Sequence, residues 1–176
     1  MRAGSSGALV ANETAARAVG AVVGPIEGEV RGNTKARECR SQASGSEQRA
    51  LRHAALEPGQ IDYVNTHGTS TPRGDLGEIR ALRKVFGDRR IPYSSTKGYT
   101  GHTISAAGAI EAIFTLMMLR GGWIAPSAHA DPLDPELAGD PPVLRPTSAP
   151  LRFALSNSLG FGATNVALVL ENPFIT

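Results

Sequence analysis

The stretch Ile61–Phe86, IDYVNTHGTSTPRGDLGEIRALRKVF, decides the fold because its pattern changes once, from strand-like to helix-like. Ile61-Asp62-Tyr63-Val64-Asn65 is a short run rich in β-branched and aromatic residues, as a strand is. His67-Gly68-Thr69-Ser70-Thr71-Pro72 interrupts it with turn formers. From Gly74 to Phe86 the apolar positions Ile79, Leu82, Val85 and Phe86 recur at helical spacing, and Gly87 stops them. A strand passing through a turn into a helix is the building unit of an α/β layered protein.

The flanking sequence repeats that unit. Ile91 to Ser94 predicts a second short strand, and Thr103 to Leu119 a helix closed by Gly121-Gly122. Upstream, Ser46 caps a predicted helix running to about Leu56, with Ala50, Leu51, Ala54 and Ala55 on one face and Glu57-Pro58-Gly59 as its stop. Two strands end the chain, Arg152 to Ser156 and Asn165 to Leu170, joined by the glycine-rich turn 157–164. The predicted class is therefore α/β, with a mixed sheet covered by helices. Residues 125–150 hold seven prolines and no periodicity, and read as a long irregular connection. Val19 to Ile26 predicts a strand or a short helix. Otherwise residues 1–45 show no persistent core-facing stripe; residues 1–50 are expected to be weakly ordered and the domain to occupy 51–176.

Composition narrows the function classes. Hydrophobic residues make up 41% and charged residues 19% of 176, as in an ordinary globular protein. The single cysteine, Cys39, forms no internal disulfide. No basic start followed by an apolar run marks a secretory leader. The most apolar stretch, Ala109 to Leu119, is eleven residues interrupted by Glu111, which reads as too short for a bilayer span. A cytoplasmic protein is expected. The net charge of +2 comes without a Lys/Arg run, so nucleic acid is not an expected partner. Arg73, Arg80, Arg83, Lys84, Arg89 and Arg90 do gather around one helix. They read either as a solvated face or as a docking patch for an acidic protein.

Chemistry concentrates on the two strand-to-helix turns. His67 follows the first strand, where α/β proteins collect ligands and catalytic groups. Lys97 and His102 follow the second. A helix N-terminus and the lysine charge both disfavour protonating His102, leaving a neutral imidazole able to donate to a developing oxyanion. Neither histidine has a zinc-ligand spacing, and Gly160-Phe161-Gly162 lacks the ending of a phosphate loop. Phe161 reads either as a mobile aromatic flap or as the plug of a tight hairpin.

Three blocks taken together resemble the β-ketoacyl-acyl-carrier-protein synthases: Val64 to Pro72 with Gly74-Asp75; Ser94 to Lys97 with Thr100-Gly101-His102 and Ala106 to Ala109; and Ser156-Asn157-Ser158 with Gly160-Phe161-Gly162 and Thr164-Asn165. The resemblance runs from about Ile61 to Glu171. It implies a thiolase-like fold made of two similar halves, of which this chain resembles the carboxyl-terminal one. It further implies a decarboxylative condensation of acyl and malonyl thioesters carried on the phosphopantetheine of an acyl carrier protein, with no other cofactor. In that family a cysteine of the first half carries the acyl group, and two histidines promote loss of CO₂. By motif His67 and His102 match those histidines, Lys97 the lysine beside them and Glu111 a buried acid on the helix behind. Thr69 and Thr71 match contacts to the pantetheine arm. Phe161 and Gly162 match the aromatic gate. Asn65, Glu78, Glu111, Ser156 and Asn157 resemble the surroundings of a monovalent cation in some relatives.

The chain departs from that pattern at Leu159 and Ala163, where the family commonly has Phe and Gly. Cys39 lies only 28 residues before His67, between Glu38 and Arg40, which is not the setting of an activated thiol. The nucleophile is therefore expected from an amino-terminal half or a second subunit. Three readings stay open: a condensing-enzyme segment, a malonyl-thioester decarboxylase, and a non-catalytic partner subunit. An unpaired half also leaves apolar helix surface around Ile113, Phe114, Leu116 and Met117, so homo- or hetero-oligomers are expected.

Overall fold

A computed structural model describes residues 17–25, 35–160, 164–172 and 174–175. In chain order it holds β1 (Arg17–Pro25), α1 (Lys35–Ala54), β2 (Tyr63–Asn65), α2 (Gly74–Phe86), β3 (Tyr93–Ser94), α3 (Lys97–Thr100), α4 (Ala107–Gly121), β4 (Trp123–Ile124), β5 (Thr147–Ser148), β6 (Phe153–Leu159) and β7 (Thr164–Glu171). Five strands form one sheet in the order β1-β7-β6-β2-β3. β2 runs parallel to β3 and β6, whereas β7 is antiparallel to both β6 and β1. This is the mixed sheet expected from the alternating elements.

Side-chain alternation along the strands sorts the helices onto two faces. Val64, Phe153, Leu155, Ala167 and Val169 point to one side, where they meet Ala50 and Leu51 of α1 and Ile79, Leu82 and Phe86 of α2. Tyr63, Ala154 and Leu170 point to the other and meet Met118 and Leu119 of α4. The α/β expectation holds as a sheet with helices on both faces.

Several boundaries differ from expectation. α1 starts at Lys35, eleven residues before Ser46, so the boundary placed at residue 50 falls inside a helix; β1 likewise pairs along β7. α1 escapes a hydrophobic reading because much of its inward face is polar: Ser44, Ser46 and Glu47 are buried beside Ala50 and Leu51. The helix expected from Thr103 is really a 3-10 turn, Ile104–Ala106, followed by α4. By length and composition Ile104–Gly121 is an eighteen-residue run with mean hydropathy 1.4, long and apolar enough to cross a membrane, which corrects the eleven-residue estimate. One face of that run covers the sheet and carries the buried Glu111, while 28% of the run as a whole is buried.

Candidate functional site

β2 and β3 lie side by side and parallel, so the turns that follow them emerge together at their carboxyl ends. Thr66 N donates to Ser94 O at 2.9 Å, and Ser95 Oγ donates to Gly68 O at 3.0 Å, tying the two turns to each other. Gly68 has φ +35°, and an added Cβ would stand 2.6 Å from Ser95 Cβ, so the close approach requires glycine. The result brings the predicted histidines together. The rings of His67 and His102 stand edge to face with centroids 5.2 Å apart.

Each histidine is held through a different group. His67 N and Gly68 N donate to Glu78 Oε1 and Oε2 at 2.8 and 3.0 Å, so one buried carboxylate grips both amides. Burial first, then the Lys97 charge and His102, pull His67 down to about 4, so it is neutral at pH 7. The neutral-imidazole argument made for His102 thus applies to His67. The 3-10 turn Ile104–Ala106 that leads into α4 begins two residues after His102. His102 Nδ1 accepts from Ile104 N at 3.2 Å, which leaves Nε2 as the ring nitrogen free to donate.

Lys97 and Glu111 form an ion pair between α3 and α4, with side chains only 5% and 3% exposed. Burial raises the Glu111 carboxyl while the Lys97 hydrogen bond and charge draw it back. Asn65 is packed into the same place, donating through Nδ2 to Glu111 O at 3.2 Å and Thr115 Oγ1 at 3.1 Å. Thr69 Oγ1 and Thr71 Oγ1 are 3.3 Å apart. They share the wall of a cleft of about 530 Å³ with Lys97 and His102, while Thr66 and Gly68 place His67 at its edge.

The proline-rich connection completes that cleft, a role that its lack of periodicity did not announce. Ser127 Oγ accepts from Ser95 N at 3.0 Å, Val143 N donates to Tyr93 O at 2.8 Å, and Ser127, Ala128 and His129 line the cleft. The basic cluster is partly neutralised within the chain. Arg80 pairs with Glu136 and Arg83 with Asp140. Phe161 and Gly162 lie outside the described residues, as does Ala163.

The five residues considered for a monovalent cation are spread over β2, β6, α2 and α4. Asn65 and Glu111 belong to the α4 side of the sheet, with Ser156 beside Asn65 in the β2–β6 register. Asn157 and Glu78 bond to each other at 3.4 Å on the α1 side. Both oxygens of Glu78 accept from the His67 and Gly68 amides, whereas Asn65 Oδ1, Glu111 Oε2 and Asn157 Oδ1 are buried without a hydrogen-bond partner. Among the described residues no group of three or more His, Cys, Asp or Glu side chains is arranged to hold a metal.

The family described as "Beta-ketoacyl synthase, C-terminal domain" matches residues 21–131, and so reaches thirty residues into the segment expected to lie outside the domain. The chain is 50% identical over 111 residues to 3-oxoacyl-[acyl-carrier-protein] synthase 1 of Escherichia coli strain K12, covering 63% of this chain and 27% of that protein. A β-ketoacyl synthase from Burkholderia phymatum STM815 superimposes with a TM-score of 0.77 at 34% identity, over 89% of this chain and 37% of that one. A type II polyketide ketosynthase, solved in complex with its acyl carrier protein and bound to a hexaketide, gives a TM-score of 0.74 at 25% identity, over 89% and 38%. The chain spans about a third of the length of the proteins it resembles.

Proposed function

Because the chain belongs to the β-ketoacyl synthase C-terminal domain family, with the thiolase-like α/β layering of its solved neighbours, we propose that it supplies the enolate-forming half of a condensing acyltransferase of fatty-acid or polyketide synthesis. The observation that carries this reading is the neutral His67 ring set against His102, at a cleft walled by Thr69 and Thr71. The substrate is a malonyl thioester on the pantetheine arm of an acyl carrier protein. Its arm lies against the two threonine hydroxyls, and its thioester oxygen accepts from the imidazole N–H groups.

The chemistry follows from those donors. The bond between the malonyl Cα and its carboxylate breaks, CO₂ leaves, and the electron pair passes into an enolate whose oxygen carries the charge. Fixed neutral donors at that oxygen lower the barrier, each worth on the order of 10²–10³ in rate. The enolate carbon then attacks an acyl-cysteine carbonyl, and the cysteine thiolate departs. Cys39 lies within α1, not at a strand-to-helix turn like those bearing His67 and His102; the nucleophile in this reading comes from an amino-terminal half or a second subunit. Lys97 fixes Glu111 behind the histidines and adds positive potential toward the departing carboxylate region. No cofactor beyond the carrier's pantetheine enters the reaction. The cytoplasm as its location, and a homo- or hetero-oligomeric assembly, belong to the same proposal.

Mixing this chain with the amino-terminal part of a relative, acyl-pantetheine and malonyl-pantetheine tests it. β-Ketoacyl thioester that forms only with both parts, and not with His67→Ala, is expected. Product formed equally by the amino-terminal part alone would refute the assignment.

A further inference from the structure

Glu47 is fully buried in α1, a place that usually takes an apolar side chain, and the chemistry above does not use it. Its Oε1 accepts from Asn157 Nδ2 at 2.7 Å. The same Nδ2 reaches Glu78 Oε1 at 3.4 Å. Glu78, itself 3% exposed, is the carboxylate that grips the His67 and Gly68 amides. Three buried side chains on three elements thus form one line from α1 through β6 to α2, ending on the backbone of the histidine turn.

We propose that Glu47 is a positioning residue for His67, acting through Asn157 and Glu78. The inference rests on the reading of His67 as the enolate donor. The physical need is clear in the geometry. A single Asn157 amide serves two carboxyl groups, so its orientation depends on both. Without an acceptor on α1 the amide is free to turn, and Glu78 loses the donor that fixes its Oε1. The amides of His67 and Gly68 then follow whatever rotamer Glu78 adopts. Burial, and next the Glu78 charge, push Glu47 up to about 8. It is therefore mostly a neutral acid at pH 7, and adds no second full charge beside Glu78. A neutral acid offers Asn157 the same carbonyl oxygen that a glutamine would, so glutamine should replace it.

The test is amide NMR of the full chain at pH 7, with Glu47→Gln and the apolar Glu47→Met, whose similar volume keeps α1 packed. In Glu47→Met the downfield His67 and Gly68 amide signals, expected of bonds to a carboxylate, should be lost, and their exchange should quicken. Signals of α4, such as Thr115, should stay in place. Glu47→Gln should keep the wild-type spectrum. Malonyl-pantetheine decarboxylation gives a second readout: kcat in Glu47→Met should fall by up to about a hundredfold with KM unchanged, and Glu47→Gln should restore it. Unchanged His67 and Gly68 amides in Glu47→Met overturn the inference, as does a glutamine variant that behaves like the methionine one. A wild-type chain that shows the amide pattern but releases no CO₂ would count against the enolate reading while leaving the positioning line established.

Discussion

Lys97 and Glu111 show at the scale of single residues why this site is held so firmly. An ion pair with side chains 5% and 3% exposed is not worth much compared with two apolar residues, but breaking it is costly, because one charge is left buried alone. Lys97→Met should therefore destabilise the fold by about 3–5 kcal/mol in urea unfolding, and Lys97→Met with Glu111→Leu should recover much of that loss. A double variant as unstable as the single one would mean that the pair is not the source of the effect. Glu111 could be named from sequence only through resemblance to a family, since inside an apolar helical run nothing local ties it to the turn that bears Lys97. His67 and His102 were legible more directly, because each follows a short strand in a Gly/Thr-rich turn. Their unequal environments were not legible. That the His67 imidazole is held neutral depends on its burial, which is not set by local pattern.

Among the elements, the connection between β4 and β6 departs most from its sequence. Prolines and missing periodicity marked it as irregular, and it is. Its role as a wall of the cleft depends on contacts with the lysine turn that no local pattern announces. Gly98 shows how close those contacts are. A Cβ there would stand 2.5 Å from Ala128 O, a backbone atom that cannot swing aside. Gly98→Ala should push the connection off α3, lowering stability by about 1–3 kcal/mol and weakening binding of a pantetheine thioester. Thermal unfolding and calorimetric titration check the two effects separately; unchanged values in both would contradict this picture of the wall. The α2 bounds, Gly74–Phe86, agree with the sequence reading because apolar spacing and a terminal glycine coincide. α1 was read short because it turns Ser44, Ser46 and Glu47 inward, so its buried face does not look hydrophobic.

For the whole molecule, the feature that matters is an apolar face that the described residues leave exposed. Ile104, Ile113 and Met117 are 78%, 56% and 54% exposed along the outer side of the α4 segment, with Tyr99 57% exposed nearby. Phe114 and Leu116, expected to share that exposure, are half-buried, and Leu116 packs on the second core. Exposed apolar side chains of this kind promote association. Sedimentation at micromolar concentration should show self-association that Ile113→Lys with Met117→Lys reduces. A clean monomer before substitution would contradict the idea that this face needs a partner.

The central claim is that the enolate site is assembled within these residues. The most direct measurement is CO₂ release from malonyl-pantetheine by this chain alone, beside His67→Ala and His102→Ala. Slow release is expected from the unaltered chain, reduced on the order of 10²–10³-fold by either substitution. Release that neither substitution changes, from samples shown to be folded, would contradict it.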